Sequence, residues 1–425
     1  MRRLFALALL CGAVALAAQT LTLERAWELA ERNNPALQQQ QQSLAAARER
    51  LRSAQTERLP RLNANAGYQY VSEVGSVSFF GNTVEMGVHN RWDFYAQLKQ
   101  PLFTGWRTTS RIAAAGADTL AAAAGARQTD DRLRLQIAAL YCQVQSLDAA
   151  ADALHRGMQR ADSQLQRVRA MLAAAQATPL DTLEIANRRL ELQTAVAQNR
   201  HQRAVCLSQL EELVGAPLDP APLPPLPVAQ LAAADYEAAA MVARQEFTVV
   251  SAQGAQAAAQ RRAALSALYP QLAAVAEYHY ADPGVEYIDP DWNDYYSVGV
   301  QMQWNLWDWG QARREANAAV CAQRRAEQEN SRLQAQVRRE VRETVEQLNS
   351  LADRIALQRR LVQQEALRRD VMQQRFEQAQ GTSLDLRDAE DRVTEAELAL
   401  AQYIAQWRQA RFLLDYYTGS MGGTR

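Results

Sequence analysis

The sequence states its landmarks twice. Leu59-Pro60-Arg61-Leu62 with Tyr68 and Tyr70 returns as Tyr269-Pro270-Gln271-Leu272 with Tyr278 and Tyr280, and Leu180-Asp181 with Gly215 returns as Leu384-Asp385 with Gly419. The first set lies 210 positions apart and the second 204, so the first half carries six extra residues between its landmarks. A duplication of this length implies two similar units packed about a pseudo-symmetry axis. The remaining features are expected to fall into matching pairs.

Residues 1–19 read as a signal peptide: Arg2 and Arg3 open it, an apolar stretch runs from Leu4 to Ala18, and small residues Ala15 and Ala17 suit cleavage. Lipidation at Cys11 is not expected, because Leu10 stands where a lipoprotein signal wants a small residue. Loss of Arg2 and Arg3 takes the formal charge from -1 to -3, which leaves no basic field for nucleic acid. Cys142, Cys206 and Cys321 are odd in number and far apart, so no disulfide framework is expected. No later segment approaches ~18 consecutive apolar residues, which excludes a transmembrane helix. Strands remain a route into a membrane.

Most of the chain is rich in Ala, Gln, Arg, Glu and Leu, the composition of long helices and coiled coils. Thr22 is placed to cap a helix reaching about Arg58, interrupted at Asn34-Pro35, where proline has no N–H to donate. From about Arg107 to Ala175 there is no proline, and Ile137, Val144, Ala151, Met158, Leu165 and Leu172 alternate at heptad spacing with Leu140, Leu147, Leu154, Ala161 and Val168. That is a coiled-coil seam on a helix on the order of 100 Å long. The copy, from about Gln311 to Gln378, has Val341, Leu348, Leu351, Ile355, Val362, Met372 and Phe376 on one side, with Gln358, Glu365 and Arg369 interrupting the stripe. A short turn (176–181, 380–385) and a return helix to Gly215 or Gly419 complete each hairpin. The expected division is therefore 1–19, signal peptide; 20–215, first repeat; 216–234, proline-rich linker; 235–419, second repeat; and 420–425, a short tail.

Four segments have period two instead. Leu62, Ala64, Ala66, Tyr68 and Tyr70 alternate with polar residues and glycine, as do Trp92, Phe94, Ala96, Leu98 and Leu102, and, in the copy, Leu272 to Tyr280 and Tyr296, Val298, Val300, Met302, Trp304 and Leu306. This predicts strands with one apolar face. Six of the eight tryptophans (Trp92, Trp106, Trp292, Trp304, Trp307, Trp309) lie in or beside them, as an interfacial girdle requires. A soluble sheet over a core also alternates, but the strands are about 11 to 13 residues long and no apolar helix is left to cover them. Four strands cannot close alone, so the barrel is expected to be shared between subunits.

With these elements in order, the chain resembles the outer-membrane efflux and secretion channel family typified by TolC. Leu21-Thr22-Leu23-Glu24 through Asn33-Asn34-Pro35-Ala36-Leu37 is similar to that family's first helix, and Arg244-Gln245-Glu246-Phe247 to its second-half copy. Pro101-Leu102-Phe103-Thr104-Gly105 and Asn305-Leu306-Trp307-Asp308-Trp309-Gly310 resemble its strand-to-helix junctions. The resemblance implies an α+β membrane protein: a homotrimer with a 12-strand outer-membrane barrel, long helices tunnelling through the periplasm, and a periplasmic adaptor and inner-membrane pump of resistance-nodulation-division or ABC type as partners. It implies an exit duct for efflux or type I secretion, with outer-membrane lipid around the barrel and no enzyme activity or cofactor.

The resemblance also places Asp385 and Asp388 at a periplasmic aperture, where at i and i+3 they share one helix face. The plainer reading is that they complement a helix dipole. Asp181 matches an acid that in related channels latches one hairpin to the next. Its expected partner positions hold Gly381 and Phe376 in place of arginine and tyrosine, with Arg375 and Arg387 near enough to substitute, and Ala175 and Ala379 stand where glycine is usual. His89, His155, His201 and His279 are scattered without metal or triad spacing, and no phosphate loop is present. Two other functions fit parts of the pattern. A poreless exported coiled-coil protein would leave the girdled strands unexplained, and a periplasmic adaptor would have one hairpin flanked by compact β-domains.

Overall fold

The computed structural model describes residues 20–80, 82–223, 228–285, 291–378 and 380–421. The segment 1–19 with Cys11, part of the proline-rich linker, Ala379 and residues 422–425 lie outside the described residues. The described residues form two compact units, each assembled from matching stretches of both repeats: 20–39, 127–244 and 334–421 in one, 40–126 and 245–333 in the other.

In the first unit a two-residue strand β1 (Thr20–Leu21) leads into α1 (Leu23–Asn33), capped by Thr22, whose Oγ1 accepts from Arg25 N at 3.4 Å. The helix stops where the sequence predicts. Buried Asn34 turns the chain by donating to Leu213 O at 2.9 Å and accepting from Ala36 N at 2.9 Å, and α2 (Pro35–Thr56) begins at the proline. The hairpins are α3 (Arg107–Ala173) with α4 (Pro179–Val214) and, in the copy, α7 (Gln311–Glu377) with α8 (Ser383–Tyr417). β1 pairs in parallel with β6 (Asp219–Pro220), and the buried Tyr141 hydroxyl sits 2.7 Å from Leu21 O and 2.6 Å from Ala221 O, tying both to α3. The second repeat opens with α5 (Ala233–Ala243) and α6 (Gln245–Leu265), separated at Arg244, whose guanidinium pairs with Glu340 at 2.5 Å.

The seam of α3 is packed as its heptads require. Ile137, Val144, Leu154, Ala161, Leu165 and Val168 are buried, against α4 residues that include Ile185 and Leu192. Each fully buried Leu, Ile or Val contributes about 1.5–3 kcal/mol. On α7, Val341, Leu348, Leu351 and Ile355 are buried, but from there to Phe376 no described residue of α7 is. Gln358 spends that stretch donating to Ala396 O at 3.0 Å, so the second seam is held by polar contacts at the point where its apolar stripe lapses.

The second unit carries the sheet. Its order is β2 (Arg61–Tyr70), β5 (Asn90–Phe103), β7 (Gln271–Asp282), β8 (Asn293–Gln303), all antiparallel, with a separate hairpin β3 (Gly75–Phe79) and β4 (Asn82–Met86) between β2 and β5. α3 and α7 are each 67 residues and begin 204 positions apart. The six-residue surplus of the first repeat therefore lies before α3, in the segment that holds the β3–β4 hairpin, an element the alternation pattern did not reveal. Register puts Leu62, Leu98, Ala276 and Val298 in one row and Asn63, Gln97, Glu277 and Ser297 in the next, on opposite faces. Two sequence expectations need correction. β8 ends at Gln303, so Trp304 and Leu306 follow the strand, and Leu102 falls at a register shift between Pro101 and Phe103 that takes it out of the row.

The sheet gives way to helix through two consecutive left-handed residues at each junction. Gly105 and Trp106 have φ 61° and 66°, and Trp309 and Gly310 have φ 55° and 77°. A Cβ at Gly105 would meet Ser266 O at 2.6 Å, whereas at Gly310 nothing lies within 4 Å. Gly310→Ala should therefore cost only the left-handed penalty of about 1–2 kcal/mol. Gly105→Ala must also displace backbone and should cost more, read as a lower thermal midpoint and a lower yield of folded protein in membranes. Equal loss in the two variants would contradict this account.

Candidate functional site

The turn of each hairpin is built by the same local chemistry. Gln176 N donates to Met171 O and Gln380 N to Arg375 O, both at 2.8 Å, closing the ends of α3 and α7. Ala175 adopts φ 59° there, a conformation glycine holds without strain. The following helices start with a capping box. Thr178 N and Oγ1 donate to Asp181 Oδ2 at 2.8 and 2.7 Å, and Asp181 N donates back to Thr178 Oγ1 at 3.3 Å. Thr382 and Asp385 repeat this at 3.2, 2.7 and 3.2 Å. The duplicated Leu-Asp landmark is thus a duplicated helix start, and the threonine three positions earlier was the sequence signal for it.

The second oxygen of Asp181 links the two hairpins: the hydroxyl of buried Ser383 donates to it, and the same hydroxyl lies 3.4 Å from Glu184 Oε2. The Ser383 bond first, then the Thr178 hydroxyl and N–H, hold the Asp181 carboxyl below its ordinary range against a small opposing effect of burial. The residues that stand at the expected partner positions, and Arg387 nearby, take other roles. Phe376 is buried with Leu165, Val168, Ile185 and Leu386, Gly381 packs against Arg375 and Phe376, and Arg387 faces Asp391 at 3.8 Å. Ser383 was not singled out in the sequence, because nothing in its spacing distinguishes it from a residue of the first helical turn.

Asp385 and Asp388 are both exposed but differ in pairing. Asp388 Oδ2 accepts from Arg368 at 3.3 Å and Arg392 at 3.1 Å, which offsets its charge. Asp385 has no cationic partner among the described residues, and its carboxyl is held low by the Thr382 hydroxyl and then its N–H. Deeper in the hairpin pair, Arg160 donates to Thr394 at 2.8 Å beside buried Glu390, whose carboxyl is pushed up by burial against the pull of Arg160 and Arg167. This buried polar layer also escaped the sequence reading.

On the sheet, the aromatic residues gather at both ends of the apolar face. Tyr68 meets Trp92 at 4.5 Å with the rings tilted, and Tyr280 stacks on Trp292 at 4.9 Å, at one end. At the other, Trp106 meets Phe103 at 5.2 Å and Tyr269 at 5.0 Å, Trp307 meets Trp309 at 5.6 Å, and Trp304 Nε1 donates to Leu268 O at 3.1 Å. Ten residues of strand separate Trp92 from Leu102, about 33 Å along the strand, which with the usual tilt matches an apolar band about 25 Å tall. Val298, Val300 and Leu62 between the bands are 76%, 68% and 73% exposed in the single chain. The opposite face carries a Tyr95–His279–Tyr295 stack at 4.8 and 4.7 Å, with His279 Nδ1 2.9 Å from Asp93, so that histidine is embedded in a polar row rather than isolated. Among the described residues no helix is long and apolar enough to cross a membrane.

The profile of the outer membrane efflux protein family matches residues 26–216 and again 230–420. The chain belongs to that family. Its members are outer-membrane channels, so the duplicated hairpins and the four strands are those of an efflux channel in the outer membrane with a large helical part in the periplasm. Solved structures agree in fold. The outer-membrane channel OprN superposes with a TM-score of 0.77 at 18% identity, covering 94% of this chain and 90% of that one. VceC from Vibrio cholerae gives 0.78 at 18% identity over 93% and 96%, and the open state of MtrE from Neisseria gonorrhoeae 0.74 at 18% over 95% and 89%. No curated protein sequence matches the chain.

Proposed function

We propose that three copies of this chain close a 12-strand barrel and form the exit duct of a tripartite efflux or type I secretion assembly. A periplasmic adaptor and an inner-membrane pump of the resistance-nodulation-division or ABC type would deliver the solute. The observation that carries this reading is the sheet itself: four strands with β2 and β8 as open edges and an exposed apolar face between two aromatic bands. Unpaired strand edges in lipid cost several kcal/mol per group, so the sheet is incomplete in one copy. Two copies would give eight strands, which close but leave little aqueous bore. Trp92, Trp106, Trp304, Trp307 and Trp309 serve as the interfacial aromatics in this reading.

At the hairpin tips, Asp385 and Asp388 from each copy line the aperture, with Asp181 holding the neighbouring turn, and opening separates the two hairpins. A ring of carboxylates favours cations. Because Arg368 and Arg392 already offset Asp388, Asp385 carries the larger share. In planar bilayers, Asp385→Ala should lower cation preference more than Asp388→Ala, and the double variant should lower it most. Unchanged selectivity in the double variant would remove both residues from the aperture. Extraction of the wild-type protein from outer membranes by carbonate without detergent would remove the duct itself.

A further inference from the structure

Where the polar face of the sheet reaches the start of α3, a cavity of about 320 Å³ is lined by Arg61, Lys99, Arg107 and Arg111. Arg61 and Lys99 are directly opposed cross-strand partners, an arrangement of like charges that destabilises a sheet pair. Lys99 is also the only lysine in the sequence. The one acid on the cavity wall, Glu57, is already engaged, with its oxygens 3.1 and 3.3 Å from Arg111 Nη1. Glu315 lines the adjoining cavity that Arg107 and Arg111 share, and it accepts from Gln311 Nε2 at 3.0 Å. Among the described residues no carboxylate is in ion-pair range of Arg61, Lys99 or Arg107, and Arg107 Nε is buried without a hydrogen-bond partner. The positive end of the α3 dipole lies at the same place, although its first N–H groups are capped by Thr104, Arg107 N donating to Thr104 O at 3.1 Å and Thr108 N to Thr104 Oγ1 at 3.3 Å.

Three uncompensated cations, one with a buried idle donor, around a cavity of this size are complementary to a compact anion. We propose that this cavity binds an oxyanion: the phosphate or carboxylate group of a solute passing through the barrel. The inference rests on the duct reading above, which puts the polar face of the sheet inside the barrel. Arg107 supplies a planar donor from the helix end, and Arg61 and Lys99 supply charge from the wall. The bound anion removes the repulsion between those two and satisfies the idle Arg107 donor.

The test is block of single-channel current by inorganic pyrophosphate on the full-length oligomer in planar bilayers. The wild-type current should fall with added pyrophosphate, less so at high salt. In K99Q/R107Q the half-blocking concentration should rise at least about tenfold, while K99R should stay near wild type. Heat-modifiable oligomer on gels checks that each variant is assembled. A conducting wild-type pore indifferent to pyrophosphate, or blocked equally in K99Q/R107Q, overturns the site and leaves the duct reading standing. Absence of any conductance in the wild type sinks the duct reading instead. Phospholipid that co-purifies with the wild type, is lost in K99Q/R107Q, and accompanies an unblocked pore would assign the cavity to a lipid headgroup and overturn a soluble ligand.

Discussion

Arginine at Val298 should abolish assembly in the outer membrane, while arginine one position earlier, at Ser297, should leave it nearly intact. The two residues are neighbours on β8 but face opposite ways. Val298 shares its row with Leu62, Leu98 and Ala276, and Ser297 shares its row with Asn63, Gln97 and Glu277. Arginine at the lipid midplane of a barrel costs about 2–4 kcal/mol, and three copies per barrel would make that about 6–12 kcal/mol, comparable to the whole stability of a domain. Ser297→Arg instead places its charge beside Glu277, whose carboxylate lies 3.4 Å from the serine hydroxyl. The measurement is the fraction of heat-modifiable oligomer recovered from outer membranes. If both variants assembled equally well, lipid would not be what the Val298 face meets.

The contrast between those neighbours also shows what the sequence made legible. Period-two alternation identifies the faces of β2, β5, β7 and β8 because side-chain direction in a strand is fixed by the backbone. The heptads of α3 identify its seam for the same kind of reason. Sequence periodicity could not foresee where regularity is broken by local geometry: the register shift at Pro101–Phe103, the end of β8 before Trp304, and the β3–β4 hairpin, whose strands are too short to declare a face. At the hairpin tips the aspartates were found through duplication and resemblance, and their capping role was written in Thr178 and Thr382. The contact of Asp181 with Ser383 was not, since it joins residues 202 positions apart through a hydroxyl. The basic cavity escaped for the same reason, because Arg61, Lys99 and Arg107 are ordinary surface cations until pairing of the strands brings them together.

Ser383→Ala should make the closed duct leak. This substitution removes the link from the second hairpin to Asp181 while leaving the Thr178–Asp181 capping box in place, so it isolates the link from helix initiation. A hydrogen bond to a carboxylate contributes about 1.5–3 kcal/mol when buried, but Asp181 is only part-buried and screening reduces that to about 0.5–1 kcal/mol per copy. Three copies acting together give about 1.5–3 kcal/mol, or roughly a 10- to 100-fold larger open population. The pH dependence has a definite sign. The Asp181 carboxyl is depressed from its ordinary 3.8 in the linked state, so the link is fully present above that value and is lost as pH falls through the lower value of the linked state. The excess conductance of Ser383→Ala over wild type should therefore be constant from neutral pH to about pH 5 and shrink only in strong acid, where the wild type loses the link too. Single-channel open probability against pH reads this directly. A variant indistinguishable from wild type at neutral pH would show that the Ser383 contact holds nothing shut, and a difference that vanished near pH 6 would point to a histidine rather than Asp181.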